Sequence, residues 1–325
     1  MSEPTIEVHL SDDHAAKALR HDVHAGLSAS PKWLPPKWFY DARGSELFEE
    51  ITQLPEYYPT RAEAEALREA VPEIASLTKA HTVVELGAGS SEKTRLLLDA
   101  LSASGSLQAF VPQDVSTAAL EATAETIARD YPDLRVHGVV SDFTADLGRL
   151  PGESPRLVAF LGGTIGNFDP DERRAFLHSV ADVLEPGEWL LLGTDLVKDE
   201  RTLVAAYDDA QGVTAEFNRN VLHVINRELS ADFDVRAFEH IAVWNADKEW
   251  IEMRLRAERD MRVGVDALQM SVDFASGEEM RTEISAKFRE PGVRRELAAA
   301  GLDVQAWWTD EAGRFGLALA QRVAR

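Results

Sequence analysis

VVELGAGSSEKT, residues 83–94, decides how this chain is read. An apolar run ends in Glu85, glycines at 87 and 89 turn the chain, and EKTRLLLDAL (92–101) continues with helical spacing. The pattern predicts a buried strand, a Gly turn and a helix. Glycines admit a ligand close to the backbone, and a helix N-terminus offers it unpaired N–H groups. Two phosphate-binding readings fit poorly. A dinucleotide turn wants a third glycine where Glu92 stands, and a carboxylate there would oppose a pyrophosphate. A phosphate loop wants a glycine directly before Lys93–Thr94, and that glycine is missing. A methionine-sulfonium ligand, which carries no phosphate, fits this turn better.

Outward from this turn, strands and helices alternate. QAFVPQDVS (108–116) reads as a second strand, AALEATAETIARDY as a second helix, LRVHGVVSDF (134–143) as a third strand and RLVAFLGGTIGNF (156–168) as a fourth. A helix follows from about Pro170 to Leu184, then a fifth strand in EPGEWLLLGTDLV. Such alternation predicts an α/β domain with a largely parallel sheet. Residues 199–285 differ: ERTLVAAYDDAQGVTAEFNRNVLHVINREL reads as one long helical stretch, and AFEHIAVWNADKEWIEMRLRAERDMRVGV as antiparallel strands turning near Asn245–Asp247. After 286 the α/β pattern returns. The expected domains are 61–198 with 286–325, and 1–60 with 199–285. The N-terminal part holds SPKWLPPKWFYDARGSELFEEITQLPEYYPT, dense in proline and aromatic residues, which reads as a flap packed over a domain or as the wall of a substrate pocket.

Ends of strands carry the next candidates. Asp114 closes the second strand, placed to accept from both hydroxyls of a ribose; Ser116 suits the N-cap of the helix that follows. Asp142 and Phe143 close the third, a carboxylate for an adenine amino group and a ring for the base. In LGGTIGNF (161–168), three glycines expose backbone at the sheet edge where ligands of open α/β sheets bind. Asn167 there offers one acceptor and two donors, suited to an amino-acid carboxylate or amine.

Composition narrows the classes. The 325 residues carry 34 Lys+Arg against 56 Asp+Glu, a formal charge of −22. That charge repels nucleic acid and anionic lipid. Absence of cysteine removes thiolate catalysis and Cys-based zinc sites. No apolar run reaches the roughly 18 residues of a membrane span, and the N-terminus does not read as a signal peptide. Composition leads to the expectation of a soluble, cytoplasmic, acidic protein; a monomer acting on a small molecule, without a metal, is expected beside it.

Taken in order, ELGAGS, the strand-end Asp114, SDF and the fourth-strand loop resemble the class I S-adenosylmethionine-dependent methyltransferases. PPKWFYDARGSELFEEITQLPEYYPTRAE, LGGTIGNF, LLLGTDLVKD, AYDDAQGVTAEFNRNVL and TEISAKF extend that resemblance to the histidine-specific Nα-methyltransferases of ergothioneine biosynthesis. It spans nearly the whole chain, leaving out the first dozen residues and loops near 101–110 and 145–156. The resemblance implies a Rossmann-like, mostly parallel seven-stranded sheet with a second α+β domain for the substrate. It implies S-adenosylmethionine as co-substrate, held by Gly87, Lys93, Asp114, Asp142 and Phe143. L-histidine would be held by Tyr57, Gly162, Asn167, Tyr207, Glu283 and Ser285, and would leave as its trimethyl betaine, hercynine.

The residue types suit those tasks. Tyr57, Asn167 and Tyr207 are neutral donors, able to hold a carboxylate without positive charge beside it. Glu283 can accept from an imidazole N–H, and Ser285, two residues on, shares its face if TEISAK is extended. Met253 either lines the ring pocket or packs as ordinary core. Tyr40 is the candidate, with Asn167, for organising the amine or a water. Three other readings stay open: a methyltransferase of this architecture for another amino acid or amine, a non-catalytic S-adenosylmethionine-binding module, and a nicotinamide oxidoreductase.

Overall fold

In a computed structural model of the chain, the described residues are 4–10, 13–89, 93–142, 147 and 150–324. In chain order the elements are β1 (Thr5–Val8), α1 (His14–Ser28), α2 (Ala42–Gln53), α3 (Pro59–Thr78), β2 (Thr82–Leu86), α4 (Thr94–Ala103), β3 (Ala109–Asp114), α5 (Thr117–Asp130), β4 (Arg135–Val140) and β5 (Arg156–Phe160). They continue with α6 (Pro170–Val183), β6 (Trp189–Asp195), α7 (Glu200–Tyr207), α8 (Val213–Leu229), β7 (Phe238–Asn245), β8 (Trp250–Ala257), β9 (Met261–Val265), β10 (Met270–Phe274) and β11 (Glu279–Ala286). The last are α9 (Glu290–Ala299), β12 (Leu302–Thr309) and β13 (Phe315–Arg322). These fall into two compact units. One comprises Met1–Ser11, Pro59–Val197 and Phe288–Arg325; the other comprises Asp12–Tyr58 and Lys198–Lys287.

The first unit is built on one sheet in the order β1-β4-β3-β2-β5-β6-β13-β12. β1 through β6 run parallel; β13 runs antiparallel to β6, and β12 to β13. This is the class I methyltransferase architecture. The sheet has eight strands among the described residues, one more than the expected seven. The added strand is β1, whose residues Thr5 to Val8 pair with His137 to Val140 and cover what would otherwise be an open edge. Four residues are too short a run to show a strand period on their own. β2 and β5 are buried at every position, as strands covered by helices on both faces must be. Start signals are local: Ser116 caps α5 by accepting from Ala119 N, and Asp169 and Glu172 form a capping box at α6, with Pro170 in its first turn. Strand order reverses at β2, so the carboxyl ends of β2 and β5 flank the point where open α/β sheets take ligands.

The second unit sets helices against two antiparallel sheets, β11-β8-β7 and β10-β9. The expected long helical stretch over 200–229 is two helices, α7 and α8. Gly212 breaks it with φ 76, and the buried Asp209 carboxylate accepts from the backbone N–H groups of Gln211, Val213 and Thr214 at 3.0, 3.1 and 2.7 Å. The proline-rich N-terminal segment is stitched to β11 by backbone bonds, Leu34 N to Arg281 O (2.8 Å) and Arg281 N to Lys32 O (3.1 Å). A carbon added at Gly26 would lie 2.0 Å from the Trp33 carbonyl oxygen, so only glycine permits this closure. Phe39, Phe48 and Phe217 pack with Tyr40 at ring separations of 4.8 to 6.0 Å, a cluster drawn from the aromatic segment, α2 and α8.

Candidate active site

Within the first unit, three expected residues, Gly87, Asp114 and Asp142, stand at the carboxyl ends of the consecutive sheet neighbours β2, β3 and β4. Gly87 follows β2 with φ 73, its N–H bonded to the Gln113 carbonyl at 2.9 Å. Gly89 has φ 47, and among the described residues nothing lies within 4 Å of a carbon added to it. Asp114 ends β3; its Oδ1 accepts from Ser116 N at 3.0 Å and its Oδ2 from Gly89 N at 3.5 Å. Asp142 follows β4 and is half-buried. Phe143 lies outside the described residues, as do residues 90–92 of the opening motif. A half-buried carboxylate beside a glycine turn has the donor and acceptor chemistry that a ribose diol needs.

Beyond β5, Gly162 and Gly163 have φ 78 and 70 and lead into a short 3-10 turn, Thr164–Asn167, which leaves Asn167 half-buried. Glu63 ties this loop to the glycine turn. This fully buried carboxylate on α3 accepts from Gly162 N at 2.7 Å and pairs with the Lys93 ammonium. A carbon added at Gly193 on β6 would lie 2.3 Å from Glu63 Oε1, so that strand is glycine where the carboxylate passes. Sequence reading missed Glu63. Its signal was available: Ala62, Ala66, Leu67 and Ala70 are the buried stripe of α3, and an acid inside such a stripe needs a partner.

Within the second unit the structure assembles Tyr40, Tyr57, Tyr207, Met253, Glu283 and Ser285. β11 is extended, and Glu283 and Ser285 pair with Met253 and Ile251 of β8, which places Met253 and Glu283 opposite each other on one face. Met253 is buried and Glu283 half-buried. Tyr207 ends α7, and its hydroxyl lies 2.7 Å from Ser285 Oγ. The Tyr57 ring packs edge-on against Tyr207 and Phe48 at 6.4 and 6.2 Å. About half of the Tyr40 surface is exposed (49%). Desolvation, followed by the nearby Glu283 carboxylate and Tyr207, nevertheless raises its phenol well above the ordinary value. Tyr40 therefore stays a neutral hydroxyl at physiological pH, suited to hydrogen bonding and not to accepting a proton as phenolate.

Lys287 corrects the expectation of neutral donors alone. This buried ammonium donates to the Tyr207 hydroxyl at 2.9 Å and to Ser285 Oγ at 2.8 Å. A buried chain also fixes the backbone of Tyr207. The Tyr207 carbonyl can only accept, so His240 Nε2 carries a proton and donates to it at 2.8 Å. Nδ1 then accepts from Asn218 Nδ2 at 2.8 Å, and Asn218 Oδ1 accepts from Thr282 Oγ1 at 2.6 Å. Burial lowers the His240 pKa, which keeps the ring neutral. Since the folded value lies below the unfolded one of about 6.5, this network's contribution is complete above that pH. It is lost as the pH falls through the folded value. Among the described residues no group of three or more His, Asp or Glu is arranged to hold a metal ion.

Comparison with known proteins agrees with this architecture. The family described as histidine-specific, SAM-dependent methyltransferase matches residues 19–322. A histidine N-alpha-methyltransferase from Mycobacterium tuberculosis is 59% identical over 98% of this chain and 99% of its own length. Its namesake from Mycolicibacterium smegmatis is 58% identical over 97% and 98%. Ergothioneine biosynthesis protein 1 of Neurospora crassa is 30% identical over 86% of this chain, but only 32% of its own length is covered. By its match over nearly all of its length, the chain belongs to the S-adenosylmethionine-dependent, histidine-specific methyltransferases.

Proposed function

We propose that this protein transfers methyl groups from S-adenosylmethionine to the α-amino nitrogen of L-histidine. Three rounds give hercynine, the opening step of ergothioneine biosynthesis. The observation that carries the choice of substrate is the pairing on β11: a carboxylate and a hydroxyl, Glu283 and Ser285, two residues apart on one strand face. An imidazole presents one N–H and one lone pair to such a pair, whereas a phenyl or phenol ring would leave the carboxylate unsatisfied. We assign the first unit to the co-substrate and the second to recognition of histidine.

Gly87, Lys93, Asp114, Asp142 and Phe143 would hold S-adenosylmethionine. The bound co-substrate supplies a methyl group on a sulfonium, with a neutral leaving group. Tyr57 and Tyr207 hold the amino-acid end, and Met253 lines the ring pocket. The attacking amine must be uncharged. With a reference pKa of about 8 it loses its proton readily near neutral pH, so the protein mainly orients it and excludes water. Tyr40, kept neutral, and Asn167 direct the amine lone pair. A single copy in the cytoplasm is the proposed working unit; no helix among the described residues is long and apolar enough to cross a membrane.

Glu283→Ala tests the assignment. Removing a charged hydrogen-bond acceptor should lower kcat/KM for histidine about 100-fold and leave the affinity for S-adenosylhomocysteine unchanged, as read by calorimetry. Unchanged histidine turnover would transfer the proposal to a different amino acid or amine.

A further inference from the structure

Lys287 occupies a costly position. Only 4% of it is exposed, and an ammonium withdrawn from water loses several kcal/mol unless its N–H groups find acceptors. A methionine of similar length would fill the same space without that cost. Instead Nζ bonds to Tyr207 Oη and Ser285 Oγ, lies 4.7 Å from the centroid of the Tyr207 ring, and closes a triangle whose third side is the 2.7 Å contact between the two oxygens. The backbone just past β11 is pinned as well, with Lys287 N donating to Glu249 O at 2.7 Å.

Counting protons shows what this does. Each hydroxyl has one proton and two lone pairs. The ammonium takes one lone pair on each, and the contact between the oxygens uses one of the two hydroxyl protons. The other proton is directed away from the ammonium, and a hydroxyl that accepts from a cation is a stronger donor. The triangle therefore leaves one proton of the Tyr207–Ser285 pair to point outward, and it places a positive charge one hydroxyl away from anything the pair holds.

We propose that Lys287 is a positioning and specificity residue: its ammonium orients the Tyr207 and Ser285 hydroxyls and supplies the charge by which the site requires a free carboxylate on its substrate. This rests on the reading of Tyr207 and Ser285 as substrate-holding groups. Decarboxylated amines, histamine among them, are rejected because they bring no anion toward the buried Lys287 charge.

The test compares Lys287→Met with the wild type, with Tyr207→Phe and Ser285→Ala as controls, using full-length protein and melting curves to confirm folding. Lys287→Met should raise the histidine KM about 10- to 100-fold, the size of a lost charged hydrogen bond, with a much smaller change in kcat. The inhibition constant of histamine should move less than about threefold, so that the preference for histidine collapses. Should Lys287→Met fail to fold, Lys287→Gln, which keeps a donor and removes the charge, is measured in the same way with the same expectation. A histidine KM unchanged while Tyr207→Phe or Ser285→Ala raises it would overturn the role of Lys287 and leave the proposed function standing. So would an equal rise for histidine and histamine. A histidine KM unchanged in both controls as well would overturn the role of Lys287 together with the substrate assignment beneath it.

Discussion

Set side by side, the glycine turn of the first unit and the tyrosine cluster of the second hold their functional groups by different means. Gly87, Gly89 and Asp114 are placed by backbone: strand ends, two positive φ angles, and N–H groups that reach Asp114 Oδ1 and Oδ2. Tyr207, Ser285 and Lys287 are placed by side chains, and the hydroxyls of Tyr207 and Ser285 meet across 78 residues of sequence. The turn suits a co-substrate of fixed shape, because peptide geometry alone makes the cradle. The cluster suits discrimination among amino acids, because its hydroxyls are bonded to each other and to an ammonium, and a wrong partner leaves a polar group unpaired. A backbone cradle should therefore tolerate loss of a side chain with little cost to folding, whereas a buried side-chain network should not.

The largest effect is expected in the network. Asn218 is fully buried and bonds to His240, Thr282 and the Arg254 carbonyl. Asn218→Ala takes the donor from His240 Nδ1 and from the Arg254 carbonyl, while Thr282 keeps the Met253 carbonyl as acceptor; each lost partner costs about 1–3 kcal/mol. Chemical denaturation should show a loss of about 3 kcal/mol or more, together with a raised histidine KM as the support of Tyr207 slackens. A loss below about 1 kcal/mol would mean that the network is not rigid in the sense argued.

Asp114→Ala should divide binding from stability. Two backbone N–H contacts are lost near the surface, so the melting temperature should change little, while the affinity for S-adenosylhomocysteine falls about 10- to 100-fold. A large drop in melting temperature with intact affinity would reverse the contrast. Gly89→Ala should be mildest. Its added carbon meets nothing among the described residues, but φ 47 is a left-handed conformation, which costs an alanine about 1 kcal/mol. A denaturation loss near that size would confirm that the cost at Gly89 is conformational and not a clash.

The same contrast explains what was legible in the sequence. The turn could be read because its determinants are neighbours: glycines 87 and 89, the apolar run before them and Asp114 at the next strand end. The alternating elements of the parallel sheet were legible for the same reason. β1 was not, because a four-residue edge strand carries no period and forms only against its partner β4. The division of α7 from α8 was missed because the Asp209 cap and the Gly212 turn sit inside an otherwise unbroken helical pattern. In the second unit, residue types alone left Met253 between core and pocket, and Glu283 received its task from the family resemblance. Glu63 and Lys287 escaped both routes. A charged residue on a buried face becomes meaningful only when the fold shows which atoms answer it, here Lys93 and Gly162 N for Glu63, and two hydroxyls for Lys287.

The central claim is that the α-amine of histidine is the methyl acceptor. The purified protein, incubated with S-adenosylmethionine and an equimolar mixture of the standard amino acids and followed by mass spectrometry, addresses it most directly. The account predicts that histidine alone is consumed and accumulates as a product with three added methyl groups, all on the α-nitrogen by fragmentation. Unmodified histidine beside any other methylated amino acid, or methyl groups on the imidazole ring, would contradict it.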